Sequence, residues 1–247
     1  MSQLKLLHAA EDEYGFIYVF DDGDCRYLSF AAGDEQSCCL KAAPHVLQYE
    51  YTQAMLLSLL FCQPKRVLVL GLGGGSLVNA LFHYKPDLHI TVVELRSAVI
   101  EIAQQFFYVP RSKRIEMMHA NADHVLLDNN LRKVDLIFSD LYHAEGIDQV
   151  QLKNDFIARC AEQLKAGGCL ALNCWDEHEQ DPHLHAALTE HFVDIRVIST
   201  NSNNWVIVAT KQANWQSNRE LKEAASRLEH ALGFSLLRGL NRARAWN

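Results

Sequence analysis

The sequence predicts an α/β fold: a doubly wound, mostly parallel sheet that ends in an antiparallel hairpin, preceded by a small N-terminal β-domain. Three observations carry this reading. Residues 66–76 read R-V-L-V-L-G-L-G-G-G-S, a short unbroken apolar run closed by glycines. From there to residue 191, short apolar runs alternate with stretches of helical periodicity. The last two apolar runs, 193–199 and 205–210, are separated only by T-N-S-N-N.

Each has a physical reason. A short run that is apolar throughout suits a strand buried on both faces of a parallel sheet. Gly71, Gly73, Gly74 and Gly75 let the backbone turn sharply and approach a ligand, because no Cβ intervenes. Leu77, Ala80 and Leu81 then recur at helical spacing. Strand, glycine turn and helix together form the nucleotide-binding opening of a doubly wound domain. Strands alternating with helices imply right-handed parallel crossovers. Five residues cannot carry a helical crossover, so the last two strands are antiparallel. That ending is a mark of the S-adenosylmethionine-dependent methyltransferase fold, and a nicotinamide-binding domain lacks it.

Residues 14–20 (Y-G-F-I-Y-V-F) and 25–30 (C-R-Y-L-S-F) flank D-D-G-D and predict a β-hairpin. A turn at A-A-G-D leads to a third short strand at 36–40. Residues 49–61 predict a buried helix, ended before Pro64. In the main domain, strands are expected at 67–70, 88–93, 114–119, 134–139 and 169–174, and helices at 77–84, 97–107 and 152–164. A short helix follows N-A-D at 121–123, and Gly167-Gly168 close the 152–164 helix. Asp181-Pro182 opens a further helix to about residue 191. A polar helix at 217–232 and a basic tail with Arg238, Arg242 and Arg244 complete the chain. The expected divisions are 1–48, 49–215 and 216–247.

Composition narrows the function. The formal charge of −7 argues against a general nucleic-acid binder and tolerates cationic small molecules. No apolar run reaches the roughly 18 residues that span a bilayer, and M-S-Q-L-K-L-L-H lacks the apolar segment of a secretory leader. Seven cysteines, none in a C-x-x-C pair, read as reduced thiols of a cytoplasmic protein. Neither G-x-S-x-G nor a G-K-[ST] loop is present, so serine hydrolase and triphosphatase readings lack support.

In an open α/β sheet, ligands bind beyond the carboxyl ends of the strands. Three acids fall at or near such ends. Glu94 stands where an acid accepts ribose hydroxyls; otherwise it is an exposed strand-end acid. Asp123 is placed to accept from an adenine amino group or, equally, to cap a helix. Asp140, in F-S-D-L-Y-H, is placed to take a proton from an attacking amine or hold an ammonium; a cap or structural acid is the plainer reading. Tyr142 and His143 share its loop and would line a substrate pocket, although a solvated histidine is equally ordinary there. W-D-E-H-E-Q-D-P-H-L-H gathers His178, His183, His185 and Asp176. His183 and His185 lie two apart on a helix and face different ways, so no metal is expected. A polar loop over the cleft, with Asp176 or Glu177 near it, is the better reading.

These motifs resemble the spermidine synthase family. V-L-V-L-G-L-G-G-G-S resembles its G-G-G-D-G-G loop, V-V-E-L its V-E-I-D, N-A-D-H-V-L its G-D-G segment and F-S-D-L-Y-H its D-S-S-D-P. G-G-C-L-A-L-N resembles a divergent, spermidine synthase-like bacterial branch. The resemblance implies transfer of an aminopropyl group from decarboxylated S-adenosylmethionine to an amine. Gln36 and the glycine loop would touch that donor, Glu94 the ribose and Asp123 the adenine, with Asp140 as the base. It also implies a homodimer and a small-molecule amine as partner. The chain departs from the pattern at three places. Gly74 replaces the loop aspartate that holds the donor's amino group. His143, with Glu145 just beyond, replaces the second aspartate of D-S-S-D. The tyrosine of Y-x-E-M is displaced. Two alternatives remain open at this level: a methyltransferase using intact S-adenosylmethionine, and a non-catalytic nucleoside-binding module. A dinucleotide-dependent oxidoreductase is disfavoured by the terminal hairpin.

Overall fold

The computed structural model describes residues 4–31, 34–128, 130–143 and 146–246. Four strands form an antiparallel N-terminal sheet in chain order: β1 (Lys5–Asp12), β2 (Gly15–Asp21), β3 (Cys25–Ala31) and β4 (Asp34–Leu40). β2 and β3 are the expected hairpin, and β4 extends the expected third strand. The turn before β4 includes residues 32 and 33, which lie outside the described residues. β1 corrects the expectation of three strands. Its sequence K-L-L-H-A-A-E-D has no β-branched residue and no Phe, Tyr or Trp, so it carries no strand signal. Its ladder to β2, from Lys5↔Asp21 to Asp12↔Gly15, makes it a strand. The inner face of the sheet (Ile17, Val19, Leu28) packs on Val99, Ile102 and Phe107 of the main domain.

Residues 49–61 were expected as one helix. They form α1 (Glu50–Met55) followed by a 3-10 segment, Leu56–Leu60. Ser58 Oγ donates to the Met55 carbonyl at 2.8 Å, a local bond that competes with the α-helical pattern. Then follow β5 (Arg66–Leu70), α2 (Ser76–Tyr84), β6 (His89–Glu94), α3 (Ser97–Phe106), β7 (Ile115–His119), α4 (Ala122–Leu126) and β8 (Val134–Ser139). The loop after β8 folds into two short strands, β9 (Tyr142–His143) and β10 (Gly146–Ile147), and a 3-10 turn, Gln149–Leu152. That turn takes the start of the expected 152–164 helix, so α5 spans Asn154–Gln163. β11 (Leu164–Trp175) begins earlier than expected, with its ladder to β8 interrupted between Leu164 and Cys169, where the glycine pair lies. α6 (Pro182–His191) is capped by Asp181, whose Oδ1 accepts from the His183 and Leu184 amides. β12 (Asp194–Ser199), β13 (Asn204–Thr210), α7 (Asn218–Leu232), α8 (Leu237–Arg242) and β14 (Arg244–Ala245) complete the chain.

The main sheet runs β14-β12-β13-β11-β8-β5-β6-β7. β11, β8, β5, β6 and β7 are parallel, and β13 is antiparallel to both β11 and β12. This is the doubly wound order with a terminal antiparallel hairpin. Alternation along each strand divides the core. Val67, Val69, Leu136 and Phe138 face the layer of α1, α2 and α7, while Leu68, Leu70, Ile137 and Leu172 face that of α4, α5 and α6. The expected basic tail is folded: β14 pairs with β12, and Trp246 meets Trp205 edge-on at 4.6 Å. All seven cysteines are free, and no described helix is long and apolar enough to cross a membrane.

Candidate active site

A cleft of about 580 Å³ opens beyond the carboxyl ends of β5, β6 and β8. Two backbone hydrogen bonds bring those ends together. The Gly71 amide donates to the Val93 carbonyl, and the Asp140 amide to that of Leu70, each at 2.9 Å. Gly71 has a left-handed φ of +90°, and a Cβ there would lie 2.2 Å from the Asp140 carbonyl oxygen. A Gly71→Ala variant is therefore expected to lose about 2–5 kcal/mol, combining the left-handed penalty with overpacking. The midpoint of urea unfolding measures it.

Glu94 is only 8% exposed, not the exposed acid of the plainer reading. Its Oε2 accepts from the Leu72 amide and its Oε1 from the Arg96 amide, each at 2.9 Å. Burial raises its pKa, and these hydrogen bonds oppose the shift. The carboxylate thus fixes the glycine loop while facing the cleft.

Gly71 and Gly73 line the cleft, whereas Gly74 and Gly75 lie outside its lining. The Gly74 amide donates to Ser37 Oγ of β4 at 2.8 Å. A Cβ on Gly74 would stand 2.7 Å from the Ser37 Cβ and 3.2 Å from Phe107 Cδ1. A side chain at 74 has no room while Ser37 and Phe107 hold these places. Gly75 is the left-handed residue before α2, pressed against Val109. β4 also supplies Glu35, Gln36 and Cys38 to the cleft wall.

Asp140 sits at the end of β8. Asn173 Nδ2 donates to its Oδ1 at 2.8 Å, and the Tyr51 hydroxyl lies beside the carboxylate and favours its charged form. Behind Asn173, Asn204 Nδ2 donates to the Asn173 Oδ1 at 3.2 Å, and Ser202 Oγ to the Asn204 Oδ1 at 2.9 Å. Every donor in this chain points toward the carboxylate. Burial still dominates and pushes the Asp140 pKa up to about 6, against the lowering effect of Asn173 and Tyr51. The loop after Asp140 is pinned by Gln151, fully buried, which accepts from Ser139 Oγ at 2.7 Å and donates to the Leu141 and Asn173 carbonyls.

Tyr142 and His143 both line the cleft. The Tyr142 ring lies 6.2 Å from that of Trp175. Its buried hydroxyl is near Asn204 without a hydrogen bond of normal geometry. His143 is half exposed, and its Nε2 lies 3.0 Å from Asp148 Oδ2. Glu145 lies outside the described residues. Asp123 is not brought to the cleft. Arg159 takes its carboxylate in an ion pair. Its expected capping role belongs to Asn121, whose Oδ1 accepts from the Asp123 and His124 amides. Asn121 itself lines the cleft. Asp176 and Glu177 also lie outside the lining; of that loop only Trp175 reaches it. Among the described residues, no group of three or more His, Cys, Asp or Glu is arranged to hold a metal.

The ionisable lining is unbalanced. Glu35, Glu94, Asp140 and Asp148 face the cleft, and Arg96 is its one lysine or arginine among the described residues. Arg96 is already neutralised by Asp12 at 2.8 Å. Phe30, Tyr49, Tyr51, Tyr142 and Trp175 supply aromatic surface. An acidic, aromatic cleft suits a cation. Sequence reasoning missed Tyr51, Asn173, Asn204, Glu35 and Asp148. The available signals were weak: Asn173 ends an apolar strand, and Asn204 follows an asparagine-rich turn.

Comparison with known proteins adds independent findings. The family model for the spermine/spermidine synthase domain matches residues 50–218. A polyamine aminopropyltransferase of Vibrio vulnificus is 29% identical over 235 residues, spanning 91% of this chain and 79% of that protein. A probable spermidine synthase from Corynebacterium glutamicum superposes with a TM-score of 0.77 at 21% identity, over 96% of this chain and 89% of the other. A spermidine synthase solved with the transition state analogue AdoDATO gives a TM-score of 0.67 at 16% identity, over 96% and 82%. The structural likenesses show a shared fold. The family match covers well over half the chain and includes every strand of the parallel sheet, so the chain belongs to the spermine/spermidine synthase family.

Proposed function

We propose that the protein is an aminopropyltransferase that moves the aminopropyl group of decarboxylated S-adenosylmethionine to an amine, as in polyamine biosynthesis. The observation that carries this reading is Asp140. It is held by Asn173 and flanked by Tyr51 at the end of β8, in a cleft whose ionisable lining is acidic. The names of the curated relatives support the same reaction class, and the AdoDATO complex of a similar fold supports a donor of this type.

The donor lies across Gly71 and Gly73, with its ribose on Glu94. Asn121 and Ala122 flank the place of the base, in the stead of Asp123. The amine attacks the methylene next to the sulfonium: the C–N bond forms as the C–S bond breaks. Methylthioadenosine leaves with the bonding electrons, and Asp140 takes the proton released by the amine nitrogen. A carboxylate with a pKa of about 6 is ionised at neutral pH and is a better base than an ordinary aspartate. Positioning and exclusion of water supply most of the rate. Asp148 and Glu35 offer the cationic substrates negative charge that positions 74 and 143 do not. The same proposal includes a cytoplasmic homodimer, by family resemblance.

Mass-spectrometric turnover tests this. The full chain is given decarboxylated or intact S-adenosylmethionine with a panel of amines that includes putrescine and spermidine. Methylthioadenosine plus an amine heavier by one aminopropyl unit is the expected result. S-adenosylhomocysteine and a methylated amine would overturn it.

A further inference from the structure

Both flanks of Asp140 lead back to one half-buried salt bridge. Glu50 is the first residue of α1, and its two oxygens are divided between other parts of the fold. Oε2 accepts from the Asn201 amide at 2.8 Å, in the turn between β12 and β13. Oε1 accepts from Arg242 Nη1 at 2.7 Å, at the end of α8. Arg242 Nη2 also donates to the Asn201 side-chain oxygen at 3.3 Å, closing a triangle. Arg238, one turn earlier on α8, lies 3.4 Å from the same Glu50 oxygen.

The three corners of this triangle matter to the site. α1 carries Tyr51, which lines the cleft beside Asp140 and favours its charged form. The turn carries Ser202 and leads into Asn204, which reaches Asp140 through Asn173. α1 has six residues and so little intrinsic stability of its own. α8 comes from the far end of the chain and lies against α1 and β12. The side chains of Glu50 and Arg242 are 23% and 33% exposed, a range in which an ion pair adds little to global stability. A plainer role for Glu50, favouring the N-terminus of α1 electrostatically, would explain neither Asn201 nor Arg242.

We infer that Glu50 is a positioning residue for Asp140, and that α8 acts through Arg242 as a brace setting α1 and the β12–β13 turn in register around that carboxylate. The inference rests on the reading of Asp140 as the base.

The test uses the full chain with Glu50→Ala, Arg242→Met and Arg242→Lys. Glu223→Ala is the control, because it removes an exposed ion pair with Arg219 on α7. The measurements are kcat and KM, the pKa on the acid limb of kcat/KM, the Asp140 carboxyl titration by 13C NMR, amide hydrogen exchange and the thermal midpoint. Glu50→Ala and Arg242→Met are expected to lower kcat roughly ten- to a hundredfold, as a misplacement of up to 1 Å does, with the donor KM nearly unchanged. The Asp140 pKa should rise above its wild-type value, because a loosened Asn173 bond and a displaced Tyr51 no longer favour the charged form. Exchange should quicken together in 49–55 and 200–204. Arg242→Lys, which keeps one contact, should recover part of kcat. Thermal midpoints should match that of Glu223→Ala. A wild-type kcat with an unmoved pKa, or faster exchange in only one of the two segments, would overturn the inference. If the wild type turns over no donor, the aminopropyl reading fails. The carboxyl titration and hydrogen exchange then still decide whether the brace exists.

Discussion

Asp140→Asn is expected to lower kcat by about 10²–10⁴-fold while the protein folds normally. Asparagine keeps the shape and still meets Asn173 and Tyr51, but it cannot take a proton from the amine. Its effect on stability has the opposite sign. The folded pKa of Asp140, about 6, stands above the ordinary 3.8. A raised carboxyl pKa contributes stability below the unfolded value and loses it as pH rises through the folded one. At neutral pH the buried, ionised Asp140 is therefore a burden on the fold, and the neutral asparagine removes it. The variant should be at least as stable as the wild type at pH 7 and gain nothing at pH 3. In the wild type, kcat/KM should rise through a pKa near 6 as the base ionises, and the Asp140→Asn variant should lack that limb. Steady-state kinetics and urea unfolding across this pH range check both. Normal turnover by the variant would remove Asp140 from the mechanism.

Glu94→Ala is expected to damage both binding and fold. It leaves the Leu72 and Arg96 amides without their acceptors in a buried site. Each orphaned donor costs about 1–3 kcal/mol, so a loss of roughly 2–6 kcal/mol is expected. The ribose also loses its acceptors, and affinity for methylthioadenosine should fall about 10²-fold, in the range of lost charge-assisted hydrogen bonds. Glu94→Gln separates the two effects. It keeps one oxygen for the backbone and should recover more stability than affinity. Calorimetric titration with methylthioadenosine and with adenine alone reads the difference, since adenine should bind both variants as it binds the wild type. Equal affinity of Glu94→Ala and wild type for methylthioadenosine would place the ribose elsewhere.

The strands of the parallel sheet and the acids at their ends were legible because their signals are local. The run at 67–70 is apolar throughout and the one at 134–139 is mostly so, and Glu94 and Asp140 stand at the ends of the strands at 88–93 and 134–139. The five-residue link T-N-S-N-N forbade a crossover, so the antiparallel ending was legible too. β1 was not, since K-L-L-H-A-A-E-D becomes a strand through its partner and not by propensity. The glycine loop was legible as a loop, but which glycines face the cleft was not.

The sequence by itself determined the fold class, the ending of the sheet, the position of Asp140 and Glu94 at the strand ends, and the family to which these motifs belong. Only the tertiary structure decided what surrounds them. Arg159 claims Asp123 from 36 residues away, Ser37 fills the space beside Gly74 from 37 away, and Asn173 reaches Asp140 across 33. The bond between Glu50 and Arg242 spans 192 residues. Hydrophobic periodicity and turn chemistry act over a few residues and are written in the order of the chain. A hydrogen-bond partner is chosen by which side chains the packed sheet and helices bring within about 3 Å, and chain order carries no record of that choice.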